Sequence, residues 1–322
     1  MVQRHRYIEN INEIIEKKLK ELNLKPLKKL GEFIKKNKRF YSAPCKREKE
    51  KVFFKILIVD ELAPSEAIRR EIEIRKFLTD FKEKIKFPLL IKYDSQNFPY
   101  WFLSQYFEGE LLGHFYNLYL SNKKYIPQII DSLTNLHQIP ENLIQKISQK
   151  KEVFLWERES FRYLKMKEYY QKEIKKEILK KINFSKIYQL FEKKKSYLEK
   201  SPLVLAHGDF TLANFVISKE KLIVTDWEQA HLDNFVYDFS HLWIQLWRYP
   251  VWQKKIIAEF LTRLPKRKIE EFKEIFRIIV ISEALGELCW SINLCEKKYK
   301  AGATKAALKT INAALKGFKN LL

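Results

Sequence analysis

The sequence predicts an α+β protein of two lobes, with a small antiparallel-sheet lobe followed by a larger and mainly helical lobe. Three observations support this fold class. Short β-branched and aromatic runs crowd the chain up to residue 107. Long amphipathic helical patterns fill most of the chain beyond residue 107, with one β-rich interruption between Leu203 and Trp227. At 322 residues, the chain is long enough for each lobe to bury a core of its own.

The elements of the small lobe can be predicted in order. An amphipathic helix over residues 6–22 opens the chain, and Pro26 is expected to end it. A second helix begins at Pro64 and Ser65, where apolar residues recur at spacings of three and four. Five strands are predicted, at residues 27–34, 39–43, 52–59, 89–93 and 100–106. The expected domains are a helical extension (1–24), a sheet lobe (25–107) and a helical lobe (108–322).

The composition indicates a globular protein of the cytoplasm. Hydrophobic residues make up 46% of the chain, and no run approaches the roughly 18 uncharged apolar residues that cross a bilayer. Carboxylates at Glu9, Glu13 and Glu16 interrupt any signal-peptide core. Three cysteines without metal-ligand spacing are expected to be free thiols in a reducing compartment. We therefore expect a cytoplasmic location.

The formal net charge of +22 has two interpretations. It could mark a nucleic-acid or anionic-membrane surface. However, the lysines are spread along the whole chain among glutamates, and no groove-reading motif is visible. We therefore favour solvated helix faces over a nucleic-acid partner. The basic C-terminal stretch, residues 305–322, is similarly expected to pack on its own lobe in preference to a membrane.

The most specific motif lies in the β-rich interruption and reads HGDFTLANFVI, followed by LIVTDWE. Asp209 comes after a short apolar run, Asn214 comes five residues later, and Asp226 ends the next apolar run. One carboxylate can accept a substrate proton while an amide oxygen and a second carboxylate hold Mg²⁺, which prefers oxygen ligands. Alternatively, Asp209 and Asn214 are ordinary turn residues. The combined pattern is specific enough to favour the catalytic interpretation.

Residues 203–243 resemble the catalytic core of the aminoglycoside phosphotransferase and choline kinase-like superfamily, whose members share the bilobal protein-kinase fold. This resemblance implies that the chain is a small-molecule kinase that uses ATP and Mg²⁺. It implies that Asp209 is the catalytic base or orients the attacking hydroxyl, and that Asn214 and Asp226 bind the metal. The later aspartate of VYDFSH, Asp238, is similar to one that braces the catalytic loop. Among the six histidines, only His207 is predicted to have a functional role, which is to brace the catalytic loop by hydrogen bonding.

The resemblance extends, less specifically, over residues 27–250. Lys55 in VFFKILI resembles the strand lysine that contacts the α- and β-phosphates. Glu71 resembles the helix glutamate that pairs with that lysine, although Glu73 is a nearby alternative. In YWFLSQYFEG, backbone near Gln105 and Phe107 is expected to bind the adenine.

Two departures affect what the resemblance implies. The expected phosphate-covering loop, residues 31–41, has a single glycine, so Lys35, Lys36, Lys38 or Arg39 could contact phosphates instead. Only twelve positions separate Asp226 from Asp238, which leaves no room for a peptide-docking activation segment. A small hydroxylated acceptor is therefore favoured over a protein substrate.

The acceptor is less defined. Aromatic residues crowd the chain after Asp226 and could stack on a sugar, cage an ammonium group or fill the core. Glu228 and Asp233 could bind acceptor groups or cap helices. The many lysines favour a sugar, polyol or anionic acceptor over a polycation. Two alternatives to an active kinase stay open, namely a catalytically silent kinase-fold binding protein and a basic nucleic-acid or membrane-surface protein.

Overall fold

The computed structural model describes residues 8–27, 39–114, 116–120, 123–148, 172, 174, 176–293 and 297–318. These residues form two compact units. The first contains the described residues up to Glu110 together with Val216–Ala230, and the second contains the described residues between Leu111 and Phe215 and those from His231 onwards. No helix among the described residues is long and apolar enough to cross a membrane.

The first unit is built on an antiparallel sheet with the strand order β1-β2-β3-β5-β4. Its strands are β1 (Lys25–Pro26), β2 (Phe40–Arg47), β3 (Glu50–Leu57), β4 (Leu90–Asp94) and β5 (Trp101–Gln105). Its helices are α1 (Ile11–Glu21) and α2 (Leu62–Leu78). The apolar face of the sheet and both helices contribute to one buried cluster that includes Ile15, Phe54, Ile68 and Phe102.

The end of α1 corrects the expectation for Pro26. The helix stops at Glu21, and Pro26 lies in β1. Asn23 adopts the left-handed conformation with φ 52°, which asparagine tolerates better than most residues. The N–H of Leu24 then donates to the carbonyl of Leu19 at 2.8 Å, a Schellman-type closure that satisfies a terminal carbonyl. The predicted strand 27–34 and the single-glycine loop fall largely outside the described residues.

The strands beyond this sheet are short. They are β6 (Glu110–Leu111), β7 (Gly113–His114), β8 (Asn117–Leu118), β9 (Leu203–Ala206), β10 (Phe215–Ser218), β11 (Lys221–Val224) and β12 (His231–Asn234). A three-stranded sheet has the order β11-β10-β6, while β9 pairs with β12 and β7 pairs with β8. The β-rich interruption predicted between residues 203 and 227 is therefore confirmed. It contains β9, β10 and β11, and the last two are neighbours in one sheet.

The second unit is mainly helical. Its helices are α3 (Tyr125–His137), α4 (Glu141–Ser148), α5 (Lys176–Leu179), α6 (Phe184–Lys200), α7 (Tyr237–Gln245), α8 (Pro250–Arg263), α9 (Lys266–Asn293) and α10 (Lys297–Leu315). Helix α9 packs against α6, α7 and α10. Phenylalanines from α7, α8 and α9 form the core of this unit. Phe239 stacks on Phe260 at 4.6 Å between ring centroids, and Phe272 stacks on Phe276 at 5.2 Å.

The C-terminal amphipathic stretch packs on its own unit. Helix α10 contacts α9, and Ala307, Ile311 and Phe318 are buried as their spacing predicts. Leu322 lies outside the described residues. Cys45 and Cys289 are buried free thiols, and Cys295 also lies outside the described residues.

Candidate active site

A buried ammonium group in the first unit is shared by three carboxylates. Lys55 Nζ lies 2.7 Å from Glu71 Oε2, 2.8 Å from Glu228 Oε2 and 3.1 Å from Asp226 Oδ1. Burial by itself lowers the pKa of Lys55, but the three carboxylates outweigh it and hold that pKa well above its usual value. Lys55 itself therefore stays protonated at every physiological pH.

The local structure explains why Lys55 and Glu71 meet. Lys55 lies in the middle of β3, opposite Ser42 of β2 and Phe102 of β5, so backbone pairing on both sides fixes its direction. Glu71 is buried in α2, whereas Glu73, two residues further along the helix, pairs with Lys76 at 2.7 Å near solvent. Because residues two apart on a helix point to different sides, only one of the two glutamates can reach Lys55, and that residue is Glu71.

Asp226 sits in an unusual backbone conformation directly after β11. Its φ of 62° and ψ of 66° are left-handed, a region that a residue with a side chain enters at a cost. The following 3₁₀ turn holds it there, because Trp227 is fully buried and its Nε1–H donates to the carbonyl of Val224 at 3.2 Å. Rigid packing behind a strained aspartate is typical of functional loops.

The three carboxylates differ in their access to solvent. Oxygens of Glu71, Asp226 and Glu228 lie within 4.8 Å of one another, a spacing that could hold a metal ion. However, Lys55 already contacts all three, and the side chains of Glu71 and Glu228 are only 2% and 9% exposed. The side chain of Asp226 is 43% exposed. Asp226 is therefore the member of the cluster best able to present an oxygen to a hard cation.

Glu228 occupies a different place from the one expected. It does not act as a helix cap or join an acceptor pocket, because its carboxylate binds Lys55 and also accepts from Arg39 Nη2 at 2.6 Å. Its backbone carbonyl accepts from Arg70 Nη1 at 2.8 Å. Burial raises the pKa of Glu228 despite these cations. The D-W-E spacing was the available signal, since Asp226 precedes one short turn and Glu228 lies within it.

Gln105 and Phe107 line a separate cavity of the first unit, of about 710 Å³, which none of the cluster residues lines. The N–H of Gln105 donates to the carbonyl of Leu89 at 2.9 Å, and the Gln105 side chain accepts from the Leu89 N–H at 3.2 Å. This exchange fixes the end of β5. Phe107 comes two residues later, beyond the strand.

In the second unit, a braced loop after β9 presents Asp209. The carboxylate of Asp238 accepts from the backbone N–H groups of His207 at 2.6 Å and Gly208 at 3.0 Å. His207 Nδ1 accepts from the N–H of Asp209 at 3.3 Å. Gly208 adopts φ 83°, which glycine reaches without the penalty of a side chain. Both expected braces therefore contact the loop.

Asn214 binds the same aspartate from the other side of the loop. Its Nδ2 donates to the backbone carbonyl of Asp209 at 2.8 Å and to Asp209 Oδ2 at 2.9 Å. Asn214 ends a short 3₁₀ turn, Leu212–Asn214, whose buried Leu212 anchors it. The structure thus brings Asp209 and Asn214 together in the second unit, while Lys55, Glu71 and Asp226 come together in the first.

His241 is a member of this site that the sequence motifs did not reveal. Its Nε2 lies 3.4 Å from Asp209 Oδ1, and its Nδ1 lies 2.7 Å from Glu283 Oε2. Burial opposes the charge on both partners. The contacts outweigh it, so the pKa of His241 is raised well above its usual value and the pKa of Asp209 is lowered. The pair is therefore an imidazolium and a carboxylate at neutral pH. Its position three residues after Asp238, one turn along α7, was the signal available.

A cavity of about 430 Å³ lies within the second unit and has Asp209 in its wall. Carboxylates of Glu283 and Glu287 from α9 also line it, and Tyr116 donates a short hydrogen bond to Glu287. Burial raises the pKa of Glu287, although this hydrogen bond works the other way. The described residues of the lining include no lysine or arginine, although the chain as a whole is strongly basic.

The aromatic residues divide between this cavity and the core. Tyr116, Tyr237 and Trp290 line the cavity. Trp227, Phe235, Trp243 and Trp252 are buried and do not line this cavity. Burial thus accounts for Trp243. Tyr237 is also buried, although it forms part of the cavity wall, whereas Trp290 is partly exposed there.

Comparisons with known proteins show the family and the fold of the chain. Residues 50–268 match the sequence profile described as the phosphotransferase enzyme family, APH. This match covers well over half of the chain, and the protein belongs to that family. No curated protein sequence matches the chain significantly.

Solved structures of low sequence identity share the fold. An ADP-bound aminoglycoside phosphotransferase APH(2'')-Ib is 14% identical with a TM-score of 0.61, and the match covers 95% of this chain and 99% of that one. An APH(4)-Ia mutant in a ternary complex with ADP and hygromycin B is 10% identical with a TM-score of 0.62, covering 95% and 98%. A Plasmodium vivax ethanolamine kinase is 17% identical with a TM-score of 0.54, covering 85% and 78%. The bilobal kinase-like α+β fold predicted from the sequence is confirmed.

Proposed function

We propose that the protein is a small-molecule kinase that transfers the terminal phosphoryl group of ATP, with Mg²⁺, to a hydroxyl group. The observation that carries the proposal is the state of Asp209. This carboxylate is held by Asn214 and His241, kept ionised, and exposed in the wall of a cavity large enough for a metabolite. An aspartate with a purely structural role would be expected to be buried, whereas Asp209 faces a cavity.

The charged cluster of the first unit suits the phosphates of a nucleotide. In the proposal, Lys55 contacts the α- and β-phosphates, and Glu71 holds the ammonium in position. Asp226 and Asn214 supply the oxygen ligands that Mg²⁺ prefers. When bound, the ion offsets phosphate charge and polarises the transferred group. Arg39, at the end of the phosphate-covering segment, already contacts Glu228 and adds a second cation on this side.

The adenine is assigned to the backbone after β5. The N–H of Gln105 already donates to Leu89. The purine is therefore expected to donate a hydrogen bond to the carbonyl of Gln105 and to accept one from the N–H of Phe107. Both residues line the same cavity of the first unit.

Asp209 is assigned two tasks in the reaction. It accepts a hydrogen bond from the acceptor hydroxyl, which aligns the oxygen with the γ-phosphorus. As the oxygen–phosphorus bond forms and the bond to the β–γ bridging oxygen breaks, the hydroxyl proton passes to the Asp209 carboxylate. The lowered pKa makes Asp209 a weak base, so alignment is its larger contribution and proton transfer comes late.

The cavity indicates the chemistry of the acceptor. Three carboxylates line it and one histidine offsets part of their charge. Such a lining favours a hydroxylated amine over an anion, and Trp290 and the tyrosines can contact an ammonium group through their faces. This corrects the preference drawn from the lysine content, because the lysines are absent from the described lining. We therefore propose an amino alcohol or amino sugar as the acceptor class.

The test is transfer of labelled γ-phosphate from ATP to a panel of amino alcohols, amino sugars and neutral sugars. We expect wild-type protein to label at least one amine and Asp209→Asn to label none. A wild-type protein that binds MgATP but labels nothing would support the alternative of a silent kinase-fold binding protein.

A further inference from the structure

One glycine on the wall of the acceptor cavity has no packing role. Gly286 lies inside the 28-residue helix α9, well away from either end. Glycine in a helix interior lowers stability relative to alanine because the unfolded chain gains freedom and no side chain packs. A Cβ built at Gly286 would meet no atom within 4 Å. Helix packing therefore gives no reason for a glycine there.

Other glycines of the chain do have such a reason. A Cβ at Gly302, in α10, would lie 2.7 Å from the Trp247 ring. A Cβ at Gly109 would lie 2.2 Å from the carbonyl oxygen of Ile217, and one at Gly113 would lie 2.3 Å from that of Asn117. All three positions are closed to any side chain by their neighbours. Gly286 differs because the space beside it is open.

The open space belongs to the acceptor cavity. Gly286 lines the cavity together with Glu283, Glu287 and Trp290, at helical spacings of three and four that place all of them on one face of α9. These four residues are partly exposed, whereas Ala284, Leu285 and Leu288 on the other faces are buried. A side chain at position 286 would project from the cavity wall beside Glu283, Glu287 and Trp290.

We propose that Gly286 is a specificity-determining residue, which keeps open the part of the cavity that a hydroxylated amine occupies beside Glu283 and Glu287. This inference rests on the proposed function, because it takes the cavity as the acceptor site. A methyl group at this position narrows the cavity, and a branched side chain fills it. The acceptor range of the enzyme is then set by the absence of one side chain on α9.

The test uses Gly286→Ala, Gly286→Leu and the matched control Gly302→Ala. Thermal unfolding without ligand should show Gly286→Ala slightly more stable, with Tm higher by about 2 °C, because alanine favours a helix. Gly302→Ala should lower Tm, because its Cβ meets Trp247. A Tm for Gly286→Ala that falls like the control would show a structural glycine and overturn the inference.

Binding of ethanolamine, choline and kanamycin to the full chain is then measured by calorimetry without nucleotide. We expect wild-type protein to bind at least one of them, Gly286→Ala to bind it ~10-fold or more weakly, and Gly286→Leu not to bind it. Variants that bind like wild type would overturn the inference, as would a wild-type protein that binds none. MgATP titration of the same samples judges the proposed function separately, since Gly286 lies outside the charged cluster.

Discussion

Nδ1 of His241 lies 2.7 Å from Oε2 of Glu283, and the other ring nitrogen faces Asp209. A carboxylate on one side of an imidazole fixes its orientation and stabilises its protonated form. The protonated ring in turn holds Asp209 as a carboxylate. Helix α9 therefore influences the proposed catalytic aspartate through one histidine, although α9 carries none of the residues of the sequence motif.

Glu283→Gln should lower the pKa of His241 while leaving a hydrogen bond to the ring. The loss of an opposite charge shifts such a pKa by about one unit or more. We expect the alkaline limb of the pH–kcat profile to move to lower pH by about one unit. Glu270→Gln, an exposed glutamate of α9 that pairs with Lys273, is the matched control and should leave the profile unchanged. An unshifted limb in Glu283→Gln would show that His241 does not act on Asp209.

His241 and Asp209 also make stability depend on pH. The folded-state pKa of His241 is raised, so its stabilising contribution is complete below the unfolded value of about 6.5 and is lost as pH rises through the folded value. The folded-state pKa of Asp209 is lowered, so its contribution is present above about 3.9 and is lost as pH falls through the folded value. The difference in unfolding free energy between wild type and His241→Gln should shrink at alkaline pH. A difference that grows with pH would contradict the assigned charge.

Lys55→Met should remove the ammonium group that Glu71, Asp226 and Glu228 share. We expect kcat/KM for ATP to fall by about 100-fold or more, because a preorganised phosphate contact is lost. Stability should fall by about 3 kcal/mol, since the buried carboxylates of Glu71 and Glu228 lose the cation that they share and keep only Arg75 and Arg39 as partners. Lys86→Met removes an exposed lysine of the same unit, which pairs with Glu83, and should change neither quantity measurably. Equal effects in the two variants would remove the basis for a special role of Lys55.

Asp238→Ala should destabilise the catalytic loop. The buried N–H groups of His207 and Gly208 lose their acceptor, which costs about 3 kcal/mol in chemical denaturation. Asp94→Ala removes a carboxylate that accepts two backbone N–H groups at the surface, and water replaces it at a cost below about 1 kcal/mol. An equal loss of unfolding free energy in the two variants would show that burial does not determine how much the Asp238 hydrogen bonds stabilise the protein.

The fold and the motif residues could be predicted from the sequence because their signals are local. Strand patterns placed β3 and β5, and the spacing of Asp209, Asn214 and Asp226 defined a specific motif. The pairing of Lys55 in β3 with Glu71 in α2 could be predicted because it involves only one strand and the helix that follows it. The end of α1 was predicted within one residue, but the residue that ends it was predicted wrongly, because Asn23 closes the helix and Pro26 looked like the stronger signal.

The acceptor cavity could not be predicted because its residues come from distant parts of the chain. Tyr116, His241 and Glu287 meet only after the helices pack. The charge of the whole chain also does not describe this cavity, since +22 overall coexists with a cavity lined by carboxylates. Net charge describes the surface as a whole, whereas a ligand responds to the few groups that line its site.

The most direct test of the central claim is ATP binding by calorimetry, with and without Mg²⁺, to wild type and Asp226→Ala. We expect wild type to bind ATP in a Mg²⁺-dependent manner and Asp226→Ala to lose this dependence. Absence of nucleotide binding by wild type under both conditions would contradict the assignment of the chain as a kinase.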